Sequence, residues 1–171
     1  MCSKFIGIDN GVTGFIAVIE DDVIIEYIRY PRENPTMILE FLEKHKDVSL
    51  IAIEQAMMTT KFKHVSAVAY EVQGRYFMCF DIKKMDYIKA DPRVNGWRKK
   101  MGYVSKKRND YKIESIELVK KLFKNWEESL TFKCNKRIDH KIQETTYLDD
   151  NLADSCMLAK YAQTIYEERN K

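Results

Sequence analysis

Four carboxylates stand where carboxylates are costly. Asp9 closes the apolar run Phe5-Ile6-Gly7-Ile8, Glu54 closes Leu50-Ile51-Ala52-Ile53, and Asp150 and Asp154 lie four residues apart, in line with Met157, Tyr161 and Ile165. A carboxylate withdrawn from water is destabilising unless a cation or hydrogen bonds compensate, and converging carboxylates raise one another's pKa. Oxygen donors of this kind suit Mg2+, with Mn2+ as a substitute. Four of them can hold two ions about 4 Å apart, an arrangement that stabilises both attacking and leaving oxygens in phosphodiester hydrolysis. Each acid also has a plainer reading: Asp9 as a residue before a tight turn, the last pair as complements to a helix dipole. The dipole accounts for Asp149 and serves Asp150, but not for two acids aligned with a packing stripe.

A basic segment accompanies the acids. From Arg98 to Lys112 there are seven basic residues and one acid, Asp110, although the net charge of the chain is only +3. Arg98, Lys99, Lys100, Lys106, Lys107 and Arg108 form a candidate DNA-binding set, because such cations contact a phosphate backbone without regard to sequence; the alternative is a solvated loop. Lys112 differs, since it opens a helix four residues ahead of Ile116 and so belongs near the sheet edge. Trp97 is expected to pack beneath the loop rather than stack on a base. Met57, Met58 and Phe62 are candidates for an apolar wedge between nucleic-acid bases or for subunit contacts. His64 and His140 could transfer protons, though nothing in their spacing requires it, and His45 reads as a surface residue.

These groups need a scaffold that aims them at one edge. Lys4 to Asp9, Thr13 to Ile19 and Val23 to Tyr30 read as three antiparallel strands, with Asn10-Gly11 as a type I′ hairpin signal and Glu20-Asp21-Asp22 as the next turn. A helix starting at Asn34-Pro35 carries Ile38, Phe41 and Leu42. Ser49 to Ile53 has the continuous apolar character of a strand covered on both faces. A long helix from Lys63 to about Phe80 carries Val65, Val68, Ala69, Val72, Tyr76 and Phe77 as its stripe, and Tyr87 to Ala90 is a short strand. After a short helix around Trp97, a helix from Tyr111 to Trp126 presents Ile113, Ile116, Val119, Leu122 and Phe123, and a closing helix runs from about Asp149 to Glu167. The stretch 127–146 has weak periodicity and reads as loop. The sum is an α/β fold with a mixed five-stranded sheet, three antiparallel strands followed by parallel additions, flanked by helices.

Length and composition bound the rest. A chain of 171 residues with 45% hydrophobic and 32% charged residues matches one soluble globular domain spanning 1–171. Cys2, Cys79, Cys134 and Cys156 include no CxxC pair, which points to free thiols in a reduced, cytoplasmic setting rather than to zinc or disulfides. No apolar run approaches the roughly 20 residues that span a bilayer, and the N-terminus does not read as a secretion signal.

In order along most of the chain, three motifs resemble the RuvC-type Holliday junction resolvases of the RNase H-like superfamily. GIDNGVTG is similar to the family's first-strand motif, IAIEQ to its second strand end, and DDNLADSCMLAKY to its closing helix. The resemblance is closest to the phage, viral and organellar branch, through Trp97, Lys106-Lys107-Arg108, Lys112-Ile113-Glu114-Ser115 and Leu122-Phe123. It implies a homodimeric Mg2+-dependent endodeoxyribonuclease acting on branched DNA, with Asp9, Glu54, Asp150 and Asp154 as metal-binding catalytic residues and Lys112 beside the scissile phosphate. It also implies a dimer interface on the long helix bearing Tyr70, Gln73, Gly74 and Phe77. Because many bacterial members space the final pair i,i+3, Asp149 or Asn151 is an alternative to Asp150 as partner of Asp154. The first turn also partly matches sugar-kinase-type phosphate loops, but no second loop of that kind follows. Two other readings are an RNase H-like enzyme acting on RNA–DNA hybrids and a non-catalytic branched-DNA-binding protein.

Overall fold

The computed structural model describes all residues except 1, 2, 32, 33, 35, 58–62, 94, 95, 106, 139 and 140, together with the side chains of all but 63–66, 108, 135–138 and 141–143 among the rest. Five strands form one sheet: β1 (Lys4–Ile8), β2 (Phe15–Glu20), β3 (Val23–Arg29), β4 (Val48–Glu54) and β5 (Tyr87–Ala90), in the order β3-β2-β1-β4-β5. The first three pair antiparallel, while β4 joins β1 and β5 joins β4 in parallel. The mixed sheet flanked by helices is therefore the one the sequence implies.

Alternation along the strands divides the core into two layers. Ile6, Ile8, Ile16, Val18, Ile51 and Ile53 face α1 (Thr36–Lys44) and α2 (Lys63–Lys83), meeting Phe41, Leu42, Val72, Tyr76 and Phe80. On the opposite face Phe5, Phe15, Ala17, Leu50 and Ala52 meet the later helices. These are α3 (Trp97–Lys100), α4 (Arg108–Leu122), α5 (Trp126–Leu130) and α6 (Asp150–Arg169). The same parity carries Asp9 and Glu54 to the α6 side, because each is two residues beyond Gly7 and Ala52. Ile8 pairs with Ile53, so the two acids emerge side by side at the C-terminal ends of neighbouring parallel strands. That edge, where connections diverge on either side of β1, is where α/β sheets place their sites.

Helix α6 approaches the sheet at backbone distance. A Cβ added at Gly7 would stand 2.0 Å from the Ser155 carbonyl oxygen and 2.2 Å from the Ala159 nitrogen, so only glycine fits. The α6 segment from Leu152 to Ala159, apart from Asp154, is buried, since sheet and α4 cover it from two sides.

Several local expectations need correction. Asn10-Gly11 is not a two-residue hairpin: β1 and β2 are separated by 9–14, closed by the bond from the Gly14 amide to the Gly11 carbonyl. The positive φ pair that a type I′ turn needs occurs instead at Asp21 (49°) and Asp22 (62°). The stretch 127–146, read as loop, instead contains most of a hairpin of β6 (Thr131–Ile138) with β7 (Lys141–Leu148). Phe132 anchors it against Phe15 and Tyr27. On α4, Ile113 is 66% exposed and Ser115 faces inward in its stead; on α2, Val68 is 40% exposed. His45 is buried, not superficial, packed on Phe41 and 2.9 Å from Glu26 through Nε2. Pro35, Met58, Phe62 and His140 lie outside the described residues, as does the side chain of His64.

Candidate active site

Asp9, Glu54 and Asp154 line one cavity of about 270 Å³ with Arg98, Tyr111, Lys112 and Asn151. Asp9 follows the end of β1, Glu54 is the last residue of β4 and Asp154 lies on α6, and each carboxylate has its own partners. Asp9 accepts from the Gly11 amide at 3.0 Å through Oδ1. The Asp9 amide in turn donates to Ser155 Oγ at 3.3 Å, while that hydroxyl contacts the Phe15 carbonyl at 2.9 Å, pinning α6 to the strand end. The Glu54 carbonyl receives the side-chain amides of Asn10 (2.7 Å) and Gln73 (2.9 Å). Its carboxylate accepts the Trp97 indole N–H at 3.0 Å. Trp97 is thus packed in the core, as expected, with its one polar atom satisfied by an acid of the cavity.

The final acidic cluster separates into distinct jobs. Asp149 is the N-cap of α6: its Oδ1 accepts from the Asn151 and Leu152 amides at 3.0 and 3.2 Å, and its Oδ2 meets Arg29 at 3.1 Å. That engagement turns it away from the cavity. Asp150 stands at the margin, paired with Lys112, and its charge reaches Asp154. Asn151 lines the cavity directly.

Asp154 is approached from two directions. Ser115 Oγ hydrogen-bonds its Oδ1, and Tyr103 Oη contacts the same Ser115 hydroxyl at 2.8 Å. A Tyr103–Ser115–Asp154 chain therefore runs from the core into the cavity, with Tyr103 stacked edge-on against Trp97. Burial pushes the Asp9 carboxyl up to about 7, reinforced by the charges of Glu54 and Asp154. Burial also pushes Asp154 up to about 6, against the opposing pull of Arg98 and Ser115. A pocket that raises its own acids in this way is short of positive charge.

Arg98 belongs by sequence to the basic set proposed for the DNA backbone, yet its side chain is only 12% exposed and points among the acids. Nη1 lies 2.7 Å from Glu54 Oε1 and Nη2 lies 3.4 Å from Asp154 Oδ2. Its guanidinium carbon sits 4.4 Å from the Trp97 ring centroid and 5.4 Å from that of Tyr111. Among the remaining candidates, Lys100 meets Glu168 at 2.5 Å and Lys107 is exposed just ahead of α4, while Lys99 also has a partner. Lys106 and the side chain of Arg108 lie outside the described residues. Ser115 and Tyr111 join the site although spacing alone does not single them out, Ser115 being traceable through the Lys112–Ser115 motif; Asn151, the alternative partner of Asp154, lines the cavity.

Among the described residues, no three acidic, histidine or cysteine side chains converge tightly enough to hold one ion. The donor chemistry nonetheless fits a hard divalent cation: every acid at the cavity offers carboxylate oxygen, and the raised Asp9 and Asp154 mark a deficit of positive charge. What stands between Glu54 and Asp154 is a guanidinium.

No protein-family model matches the chain, and no curated protein matches it in sequence. Solved structures do. RuvC of T. thermophilus in complex with a Holliday junction substrate superposes with a TM-score of 0.58 at 14% identity, covering 98% of this chain and 96% of that one. A second Thermus thermophilus RuvC structure gives 0.57 at 13% identity, with the same coverage. At such identity the likeness speaks for architecture, and over nearly its whole length this chain has the RNase H-like fold of RuvC.

Proposed function

We propose that this protein is a divalent-metal-dependent endonuclease that cuts branched DNA, with four-way junctions as its preferred substrate. The observation that carries the reading is the meeting of Asp9, Glu54 and Asp154 in one cavity at the C-terminal edge of the parallel strands, with Lys112 on its wall. Similarity in fold to a RuvC seen with a Holliday junction substrate supports the choice of DNA class.

In this reading Asp9, Glu54, Asp150 and Asp154 hold Mg2+, or Mn2+ in its place, at up to two positions. A bound divalent cation supplies an activated water and neutralises charge on the phosphodiester. The chain's own groups do the rest. Lys112, now paired with Asp150, lies where a cation can stabilise charge developing on a scissile phosphate. Asn151 offers an uncharged amide on the same wall. In the same reading the basic set Lys99, Lys100, Lys106, Lys107 and Arg108 supplies contacts to the DNA backbone.

The reading includes a homodimer. Tyr70, Met78 and Ile82 of α2 are 42%, 58% and 59% exposed, and nothing stands within 4 Å of the position a Cβ would take at Gly74 between them. This stripe, open and apolar, suits a second copy packed across a two-fold axis, and two symmetric sites suit a four-way junction.

The test is cleavage of labelled four-way junctions, flaps and RNA–DNA hybrids, each with Mg2+ and with EDTA. Mg2+-dependent cutting with preference for the four-way junction is the expected result. Preference for hybrids would favour an RNase H-type activity, and junction binding with no cutting in either buffer would favour a binding protein.

A further inference from the structure

We infer that Arg98 is an exchangeable internal counter-cation: its guanidinium holds the acidic cavity together in the metal-free protein and competes with the metal for the oxygens of Glu54 and Asp154. The inference rests on the metal-dependent reading and adds to it a residue whose role is to give way.

Geometry carries it. The guanidinium spans acids from two elements, 2.7 Å from Glu54 on β4 and 3.4 Å from Asp154 on α6. Glu54 Oε1 is already taken by the Trp97 N–H, so Arg98 completes the engagement of that oxygen. The two Nη groups engage Glu54 Oε1 and Asp154 Oδ2, so a divalent ion drawing on the same two carboxylates meets a cation already seated between them, and the two repel at such range. The hold is also incomplete. Among the described residues Arg98 Nε is buried without a hydrogen-bond partner, and the Asp154 contact is long. A buried arginine fixed only for stability would normally have its donors satisfied. Its faces instead rest on the Trp97 and Tyr111 rings, a surface along which a planar cation can slide without breaking directed bonds. The backbone that carries it is short: α3 is a four-residue helix ending at Lys100, and Gly102 just beyond it has a φ of +87°.

The experiment compares the wild type with Arg98→Gln and Arg98→Lys in two readouts, thermal melting in EDTA and Mn2+ binding followed by electron paramagnetic resonance. Arg98→Gln is expected to melt lower in EDTA, by on the order of 5 °C, and to bind Mn2+ about tenfold more tightly, a change of about 1.4 kcal/mol. Saturating Mn2+ is expected to restore most of the lost melting temperature. Arg98→Lys, which keeps the charge but not the fork, is expected to fall between the two in both readouts, and it carries the test should Arg98→Gln fail to fold. Mn2+ affinity that is unchanged or weaker in the variants overturns the assignment of Arg98 while leaving the metal reading in place. Absence of Mn2+ binding in the wild type as well overturns the metal reading, and the exchange with it.

Discussion

Gly7 of β1 and Ser155 of α6 meet backbone to backbone, leaving no room for a single added carbon. This contact sets the separation between the strand that ends in Asp9 and the helix that bears Asp154. Gly7→Ala must push α6 outward, since the clash is with main chain rather than with a movable side-chain tip. Overpacking of this kind costs about 3 kcal/mol, so equilibrium unfolding is expected to show a loss of that size, with a fall in Mn2+ affinity because the acids separate. A variant as stable as the wild type would mean that α6 is not pinned there.

Asp149 and Asp154 are expected to fail in different ways. Asp149 caps α6 and faces Arg29, so Asp149→Ala should cost about 1 kcal/mol in stability and leave most of the junction cleavage intact once folded. Asp154→Asn should barely change unfolding and should remove cleavage. Loss of cleavage in a well-folded Asp149→Ala variant would return Asp149 to the site.

Ser115 links Tyr103 to Asp154, and the link has a measurable value. Ser115→Ala removes the bond to Asp154 and leaves the buried Tyr103 hydroxyl without its partner, an effect of roughly 1–3 kcal/mol. Tyr103→Phe removes both the hydroxyl and its need for a partner, so the double variant should be more stable than the sum of the two single losses implies. Strict additivity would show that the chain is not coupled.

The raised acids give the metal-free protein an unusual pH dependence. Asp9 titrates near 7 when folded, above the 3.8 of an ordinary aspartate, so between those values the folded state holds a proton that the unfolded state has released. Stability therefore falls as pH rises from about 4 to about 7 and then levels off. Asp154, near 6, acts in the same direction over a narrower window. In EDTA, thermal melting should be several degrees higher at pH 5 than at pH 8, and Asp9→Asn should flatten the difference. Added Mg2+ should bind more tightly as pH rises to 7, because it displaces the same protons. A melting temperature that climbs from pH 5 to 8 in EDTA would contradict the assignment.

How much of this could be read from residues alone depends on whether the signal was local. The β1 and β4 apolar runs and the Tyr87–Ala90 strand are legible in the residues alone, and because each of the first two runs stops at an acid, so is the placement of Asp9 and Glu54 at one edge. The antiparallel-then-parallel sheet followed from the same runs. The β6–β7 hairpin did not, since Lys133, Asn135, Lys136, Arg137, Gln143 and Glu144 leave few apolar residues to alternate, and its anchoring through Phe132 is a tertiary contact. Asn10-Gly11 carried hairpin chemistry that the wider loop over the site overrode, while Asp21-Asp22 took up the tight turn. Arg98 was visible as a charge but not as a buried one; its direction depends on Trp97, Tyr111 and two distant acids meeting around it.

The most direct measurement is junction cleavage by Asp9→Asn beside the wild type, at pH 8 in Mg2+, with junction binding measured in parallel. The account expects cleavage to fall by at least about 10³-fold, as for loss of a group central to the chemistry, while binding stays within about threefold, a difference under roughly 0.7 kcal/mol. An Asp9→Asn protein that cuts four-way junctions at the wild-type rate would show that the carboxylate cavity is not where this protein does its chemistry.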